Sequence, residues 1–328
     1  MNFNGELLKN LVSIYSPSSN EENIRNFISK EIKNYVDEVE VDPLGNLIAH
    51  KKGSGKKIMI AGHMDQIGLM VTDIDKNGFL RFTSVGGISP FVSLSQKVVF
   101  ENGTAGVIFA EHMDDISKLK LENMFIDIGA LNKEDAEKKV SIGDICVYKS
   151  DYDENDNAVF TKCLDDRVGC FIMIETLKNI KKTVNDLYFV FTVQEEVGTR
   201  GAKTSAYKVN PYMGIALDVT GSGDTPKAKR FALNKGTAIK VKDNLVIAHP
   251  LVKQLMIDTA KENGIPYQLE VLEYGGTDSG AIHLTREGVP SGVISVPTRY
   301  VHSTVEMAAK DDILNSIKLL TKLLEKEI

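Results

Sequence analysis

Four apolar runs in this chain each end on acidic or imidazole side chains, and that repetition restricts the fold more than any other feature. The runs are Ile58-Met-Ile-Ala-Gly-His63-Met-Asp65, Tyr188-Phe-Val-Phe-Thr-Val-Gln-Glu195-Glu196, Met213-Gly-Ile-Ala-Leu-Asp218, and Gly292-Val-Ile-Ser-Val-Pro, followed shortly by His302. Short apolar runs bounded by turns read as buried strands. In open α/β sheets, functional groups gather outside the carboxyl ends of such strands. Helical spacing of apolar residues predicts helices over 21–36, 167–179, 250–263 and 310–327, with strands at 38–41, 46–50, 57–61, 187–193, 214–217, 268–272 and 292–296. Between about residues 68 and 160 the texture changes to short alternating strands, at 69–74, 80–84, 97–100, 105–109 and 145–149, around one short helix at 133–139. Many short strands with little helix predict a small barrel or sandwich. The chain has 328 residues, more than one core usually serves. The expected architecture is an α/β domain built from residues 1–67 and 161–328, with an all-β insert over 68–160.

Bulk properties narrow the function by exclusion. A net charge of -6 with scattered lysines argues against a nucleic-acid partner, which would need clustered Lys and Arg. No stretch approaches the roughly 20 apolar residues of a membrane span, and the first residues lack the basic start and apolar run of a signal peptide. The expected location is cytoplasmic. Cys146, Cys163 and Cys170 are odd in number and lack a C-x-x-C pair, so they read as buried free thiols and not as disulfides or zinc ligands.

His63, Asp165, Glu196, Asp218 and His302 make two imidazoles and three carboxylates, a donor set suited to Zn, Co or Mn. Asp165 belongs to Cys163-Leu-Asp165-Asp166-Arg167, which places two carboxylates just before a helix. A catalytic zinc normally keeps three protein ligands and an open position, so five donors divide better between two ions sharing a carboxylate, for which Asp165 is the choice. Glu195 and Glu196 are neighbours at a strand end, where side chains alternate. Glu196 is expected to bind metal and Glu195 to serve as general base. Asp65, two residues after His63, is expected to accept that ring's second N–H and fix its tautomer. The run Gly275-Gly276-Thr277-Asp-Ser-Gly280 lacks the lysine of a phosphate loop and reads as a turn that lines the substrate pocket.

Taken in order, Gly62-His63-Met-Asp65, Leu164-Asp165-Asp166-Arg167, Gln194-Glu-Glu-Val-Gly-Thr-Arg-Gly201, Asp218-Val-Thr, Gly275-Gly-Thr-Asp-Ser-Gly280 and Arg299-Tyr-Val-His302-Ser resemble the TET-type tetrahedral aminopeptidases, which are glutamyl aminopeptidase-like. The resemblance spans nearly the whole chain. It implies a mixed-sheet metallo-exopeptidase fold and two divalent ions per subunit, one held by Glu196 and His302, the other by His63 and Asp218, with Asp165 shared. It also implies that short unblocked peptides are the substrates. The insert would be a PDZ-like dimerisation domain, and six dimers would close into a tetrahedral dodecamer. Two other readings compete: a glycoside hydrolase of endoglucanase type, with two carboxylates as acid and nucleophile, and a metal-stabilised scaffold without activity.

Overall fold

The computed structural model describes residues 2–227 and 231–328, so Met1, the first residue of the expected α/β domain, lies outside it. Its larger body is built on an 11-stranded mixed sheet. The main path runs Glu38–Val41, Leu47–Lys51, Asp186–Thr192, Lys57–His63, Met213–Gly221, Ser291–Arg299, Glu306–Ala309, Ala158–Thr161 and Asp153–Glu154, with Thr237–Lys242 and Tyr267–Val271 branching from the sixth. The four central strands run parallel to one another, and their registers bring His63 beside Thr192 and Ala61 beside Ala216. Their carboxyl ends therefore share one edge of the sheet, as the four apolar runs predict.

One face of this sheet is covered by the helix Leu164–Asn179, buried along nearly its whole length. A helix apolar on all sides needs neighbours on all sides. Here they are the central strands and the helices Gly5–Ser13, Glu22–Ile32 and Lys310–Leu324. The sequence pattern predicts the second and third of these but misses Gly5–Ser13, which precedes them. Its apolar side is Leu7, Leu8, Leu11 and Val12, and Asn4 caps it by accepting from Leu7 N at 3.2 Å. The helix Arg200–Val209 covers the opposite face, beside Met59, Ala61 and Val190.

The insert is a closed six-strand antiparallel barrel ordered Gly68–Ile74, Leu80–Val85, Met124–Asp127, Ala105–Ala110, Lys97–Phe100 and Ile145–Tyr148. Leu69, Leu80, Ile126, Ile108, Val98 and Cys146, one from each strand, fill its interior. The strand Met124–Asp127 is absent from the sequence-based expectation. After Tyr148 the chain leaves the barrel, and Asp153–Glu154 and Ala158–Thr161 hydrogen-bond within the large sheet. Among the described residues no helix is long and apolar enough to cross a membrane, and all three cysteines are free and buried.

Candidate metal centre

The parallel strands deliver His63, Asp218 and the segment after Thr192 to one sheet edge, and the turn after Arg299 adds His302. Asp165 enters from the start of the central helix, joined to Asp166 by a cis peptide bond. Each oxygen of the Asp165 carboxylate faces a different imidazole: Oδ1 lies 3.0 Å from His63 Nε2, and Oδ2 lies 3.1 Å from His302 Nε2. Glu196 Oε2 is 3.3 Å from the same His302 nitrogen. One donor atom each from His63, Asp165 and Glu196 falls within 4.8 Å of the others. Asp218 Oδ1 accepts from its own neighbour Val219 N at 2.7 Å. It lines the same cavity as Asp165, Glu195, Glu196 and His302.

Both rings are oriented from behind. His302 Nδ1 lies 2.8 Å from the carbonyl of Gly87, and His63 Nδ1 lies 3.2 Å from the carbonyl of Asp65. A carbonyl only accepts, so each Nδ1 carries a hydrogen, and each ring turns its Nε2 toward Asp165. The Asp65 carboxylate is farther from the ring, at 3.5 Å. It also accepts from Ser18 Oγ at 2.6 Å, Glu195 N at 3.0 Å and Glu196 N at 3.2 Å. It therefore fixes the main chain of the glutamate pair as well as standing beside His63.

The glutamate pair lies past the strand, because Gln194 adopts φ 54° and ends the extended backbone. Side-chain alternation no longer applies there. The turn closes with Gly198 N and Thr199 N donating to Glu195 O, and both glutamates line the cavity. Gly275, Gly276 and Thr277 line it too.

Sequence reasoning gave no site role to four residues that contribute. Glu306, 1% exposed, accepts from Asp165 N at 3.1 Å through Oε2 and from His302 N at 2.7 Å through Oε1. Asp166 Oδ2 accepts from His63 N at 3.2 Å. Gly86 and Gly87, from the turn after the barrel strand Leu80–Val85, sit against Glu196 and His302, where a Cβ would lie 3.1 Å from Glu196 Oε2 and 2.9 Å from His302 Nδ1. Asp166 stands in the Leu164-Asp165-Asp166-Arg167 motif, whereas nothing in the sequence marks Glu306, four positions after His302, as more than a surface glutamate.

The electrostatics of the cavity fit a cation. Burial, then the charge of Asp165, pushes the Asp218 acid well up. Glu195 is pushed up mainly by burial, and Glu196 rises to about 8 for the same reason despite the opposing pull of His302. Burial alone would hold His302 down, but the charges of Glu196 and Asp165 raise it to about 10. Asp165 goes the other way: burial raises it, and hydrogen bonds from His302 and His63 outweigh that and hold it below the ordinary carboxylate range. A buried group of carboxylates that keeps protons on its members is one that a divalent ion would neutralise. Among the described residues Glu196 Oε1 has no hydrogen-bond partner although it is buried, which leaves a lone pair for an ion.

A model of the M42 glutamyl aminopeptidase family matches residues 45–319. An Acetivibrio thermocellus protein classed as an aminopeptidase is 53% identical over 320 residues, 97% of each chain. The lysyl aminopeptidase of Pyrococcus furiosus is 36% identical over 337 residues, covering 98% of this chain and 96% of its own. Among solved structures, the TET1 peptidase of Pyrococcus horikoshii, which can assemble into a tetrahedron or a large octahedral shell, superimposes with a TM-score of 0.89 at 36% identity, over 98% of this chain and 99% of its own.

Proposed function

The chain belongs to the M42 glutamyl aminopeptidase family and is an aminopeptidase, and from that premise we propose that it removes residues from the free amino ends of short peptides at a centre for two divalent ions. Asp165 would be shared between them, with His63 and Asp218 completing one set of donors and Glu196 and His302 the other. The observation that carries this reading is the Asp165 carboxylate, each oxygen of which faces the Nε2 of a different imidazole. Zn, Co and Mn all suit these donors. When bound, the ions supply Lewis acidity toward the scissile carbonyl and acidify the attacking water.

The chain's own part in the reaction is proton transfer and alignment. Glu195 lines the cavity and its acid is pushed well up by burial, so it holds a proton readily once it has taken one. It is the group to take the proton from water and hand it to the departing amine. Asp65 aims Glu195 and Glu196 through their main-chain N–H groups. Gly275, Gly276 and Thr277 form the side of the cavity where the substrate backbone would lie. The barrel would be the dimerisation module, and the tetrahedral shell of the TET1 relative suggests a dodecamer. The free buried thiols suit a reducing, cytoplasmic setting.

A glycoside hydrolase would leave both imidazoles without a task, because it needs two carboxylates flanking a sugar and no metal. A scaffold would have no use for an acid like Glu195 beside the donors. The test is hydrolysis of unblocked and N-acetylated peptides before and after chelation, with Zn, Co or Mn restored, in wild type and Glu195→Gln. The expected result is cleavage of unblocked peptides only, dependent on metal, with most turnover lost in the variant and its metal binding kept. Unchanged turnover in the metal-loaded variant would remove Glu195 from the chemistry.

A further inference from the structure

One wall of the cavity has no part in holding ions. The cavity encloses about 480 Å³, enough for a residue's side chain beside the reacting amide. Its apolar lining is Val219, Leu245, Leu272, Tyr274 and Val301, with Lys240 as the lysine among its described lining residues. An uncompensated lysine in such a wall would select an acidic substrate.

Lys240 is compensated, and strand register does it. Lys240 and Glu270 are direct partners on the parallel strands Thr237–Lys242 and Tyr267–Val271, so their side chains leave the sheet on one face and pair there. Asp243 adds a second carboxylate 3.6 Å from the Lys240 ammonium. Lys240, Glu270 and Asp243 are all 2% exposed or less. Asp243 also accepts from Leu245 N and Val246 N at 2.8 Å each, fixing the turn that carries Leu245. Leu245 in turn packs on bare backbone: a Cβ on Gly276 would lie 2.2 Å from Leu245 Cδ1, and one on Gly280 2.6 Å from Leu245 Cβ.

We propose that this wall selects an aliphatic first residue of leucine or methionine size, and that the Lys240–Glu270 pair withholds the pocket from acidic side chains. The proposal rests on the aminopeptidase reading and names its substrate. An acidic side chain would enter an apolar wall whose lysine is already neutralised, and desolvating it there has no return. A lysyl side chain fares no better on this wall, since Glu270 and Asp243 lie behind Lys240 and do not line the cavity. The preference expected here differs from the one in the name of the Pyrococcus furiosus relative.

The experiment compares kcat/KM for unblocked Leu, Met, Glu and Lys peptides with the metal-loaded full chain. Leu and Met peptides should exceed Glu and Lys peptides at least tenfold. Glu270→Gln, which strips Lys240 of its closest countercharge, should raise cleavage of Glu peptides relative to Leu peptides at least tenfold, chiefly through KM. The paired change Lys240→Met with Glu270→Met removes both charges together and should keep Leu above Glu. A wild-type preference for Glu or Lys overturns the proposal, as does an unchanged Glu-to-Leu ratio in folded Glu270→Gln or a Glu preference in the paired variant. Failure to cleave any unblocked peptide overturns the aminopeptidase reading instead.

Discussion

Replacing Glu306 by alanine tests whether the centre is held by its main chain. The Glu306 carboxylate accepts from Asp165 N at 3.1 Å and His302 N at 2.7 Å, tying together two donors that the chain separates widely. Both N–H groups lose their acceptor in the variant, and the site, 1% exposed at Glu306, offers little water in exchange. At about 1 kcal/mol net for each bond, the loss is about 2 kcal/mol. If that loss falls on the geometry of Asp165 and His302, ion affinity drops about 30-fold, inside the tenfold to hundredfold range known for groups that orient metal ligands. The assay is competition for Zn, Co or Mn against a chelator of known affinity, with melting curves recorded with and without the ion. Glu306→Gln keeps one accepting oxygen and should fall between alanine and wild type. Unchanged ion affinity in Glu306→Ala, with thermal stability lowered equally in the presence and absence of metal, would refute the reasoning and leave Glu306 a structural residue.

Other expectations follow from single contacts. Chelation should lower the melting temperature, because ions bound only by the folded state contribute about 2.7 kcal/mol when free ion stands at about 100 times its Kd; identical melting curves with and without chelator would count against the centre. Gly201→Ala would bring a Cβ to 2.3 Å from Asn46 Oδ1 and 2.4 Å from Val193 O, so a loss of about 1–3 kcal/mol is expected in denaturant unfolding. Asp224 accepts from Arg299 Nε at 2.8 Å and Nη2 at 2.6 Å, and those bonds hold its acid below the usual carboxylate range. Because its folded value is depressed, the stability it contributes is present at neutral pH and is lost as pH falls through and below about 4. Asp224→Asn should therefore be less stable than wild type at pH 7, with the gap closing on acidification; a gap that persists at low pH would assign the effect to packing.

What the sequence reveals of the fold follows from which signals are local. The central strands are parallel and buried on both faces, so they read as unbroken apolar runs, and a run such as Ile58 to Ala61 identifies itself. The barrel strand Met124–Asp127 does not. It is four residues long, follows directly on a single turn at Leu121–Asn123, and buries only Met124 and Ile126. Its partners at Leu80 and Ile108 are distant in sequence, and only closure of the barrel makes it a strand. The helix Gly5–Ser13 begins on glycine and runs for nine residues, too short for its periodicity to stand out.

The centre divides along the same line. Donor side chains are legible because four of them sit at or just beyond the stops of apolar runs and Asp165 stands at the start of a helix. Their fixing is not legible, because it works through main-chain N–H groups that carry no residue identity. His63 N is held by Asp166, Glu196 N by Asp65, and Asp165 N and His302 N both by Glu306. Asp65 illustrates the difference. Its place two residues after His63 predicts a bond from the ring, yet the nearer acceptor of that ring is the Asp65 carbonyl, and the carboxylate spans Glu195 N and Glu196 N. The strand rule that separates Glu195 from Glu196 lapses for a similar reason, since the left-handed Gln194 has already turned the chain. Carboxylates behind the donors thus serve the centre twice: each fixes a backbone, and together they add negative charge that keeps the cavity unfavourable until cations enter it.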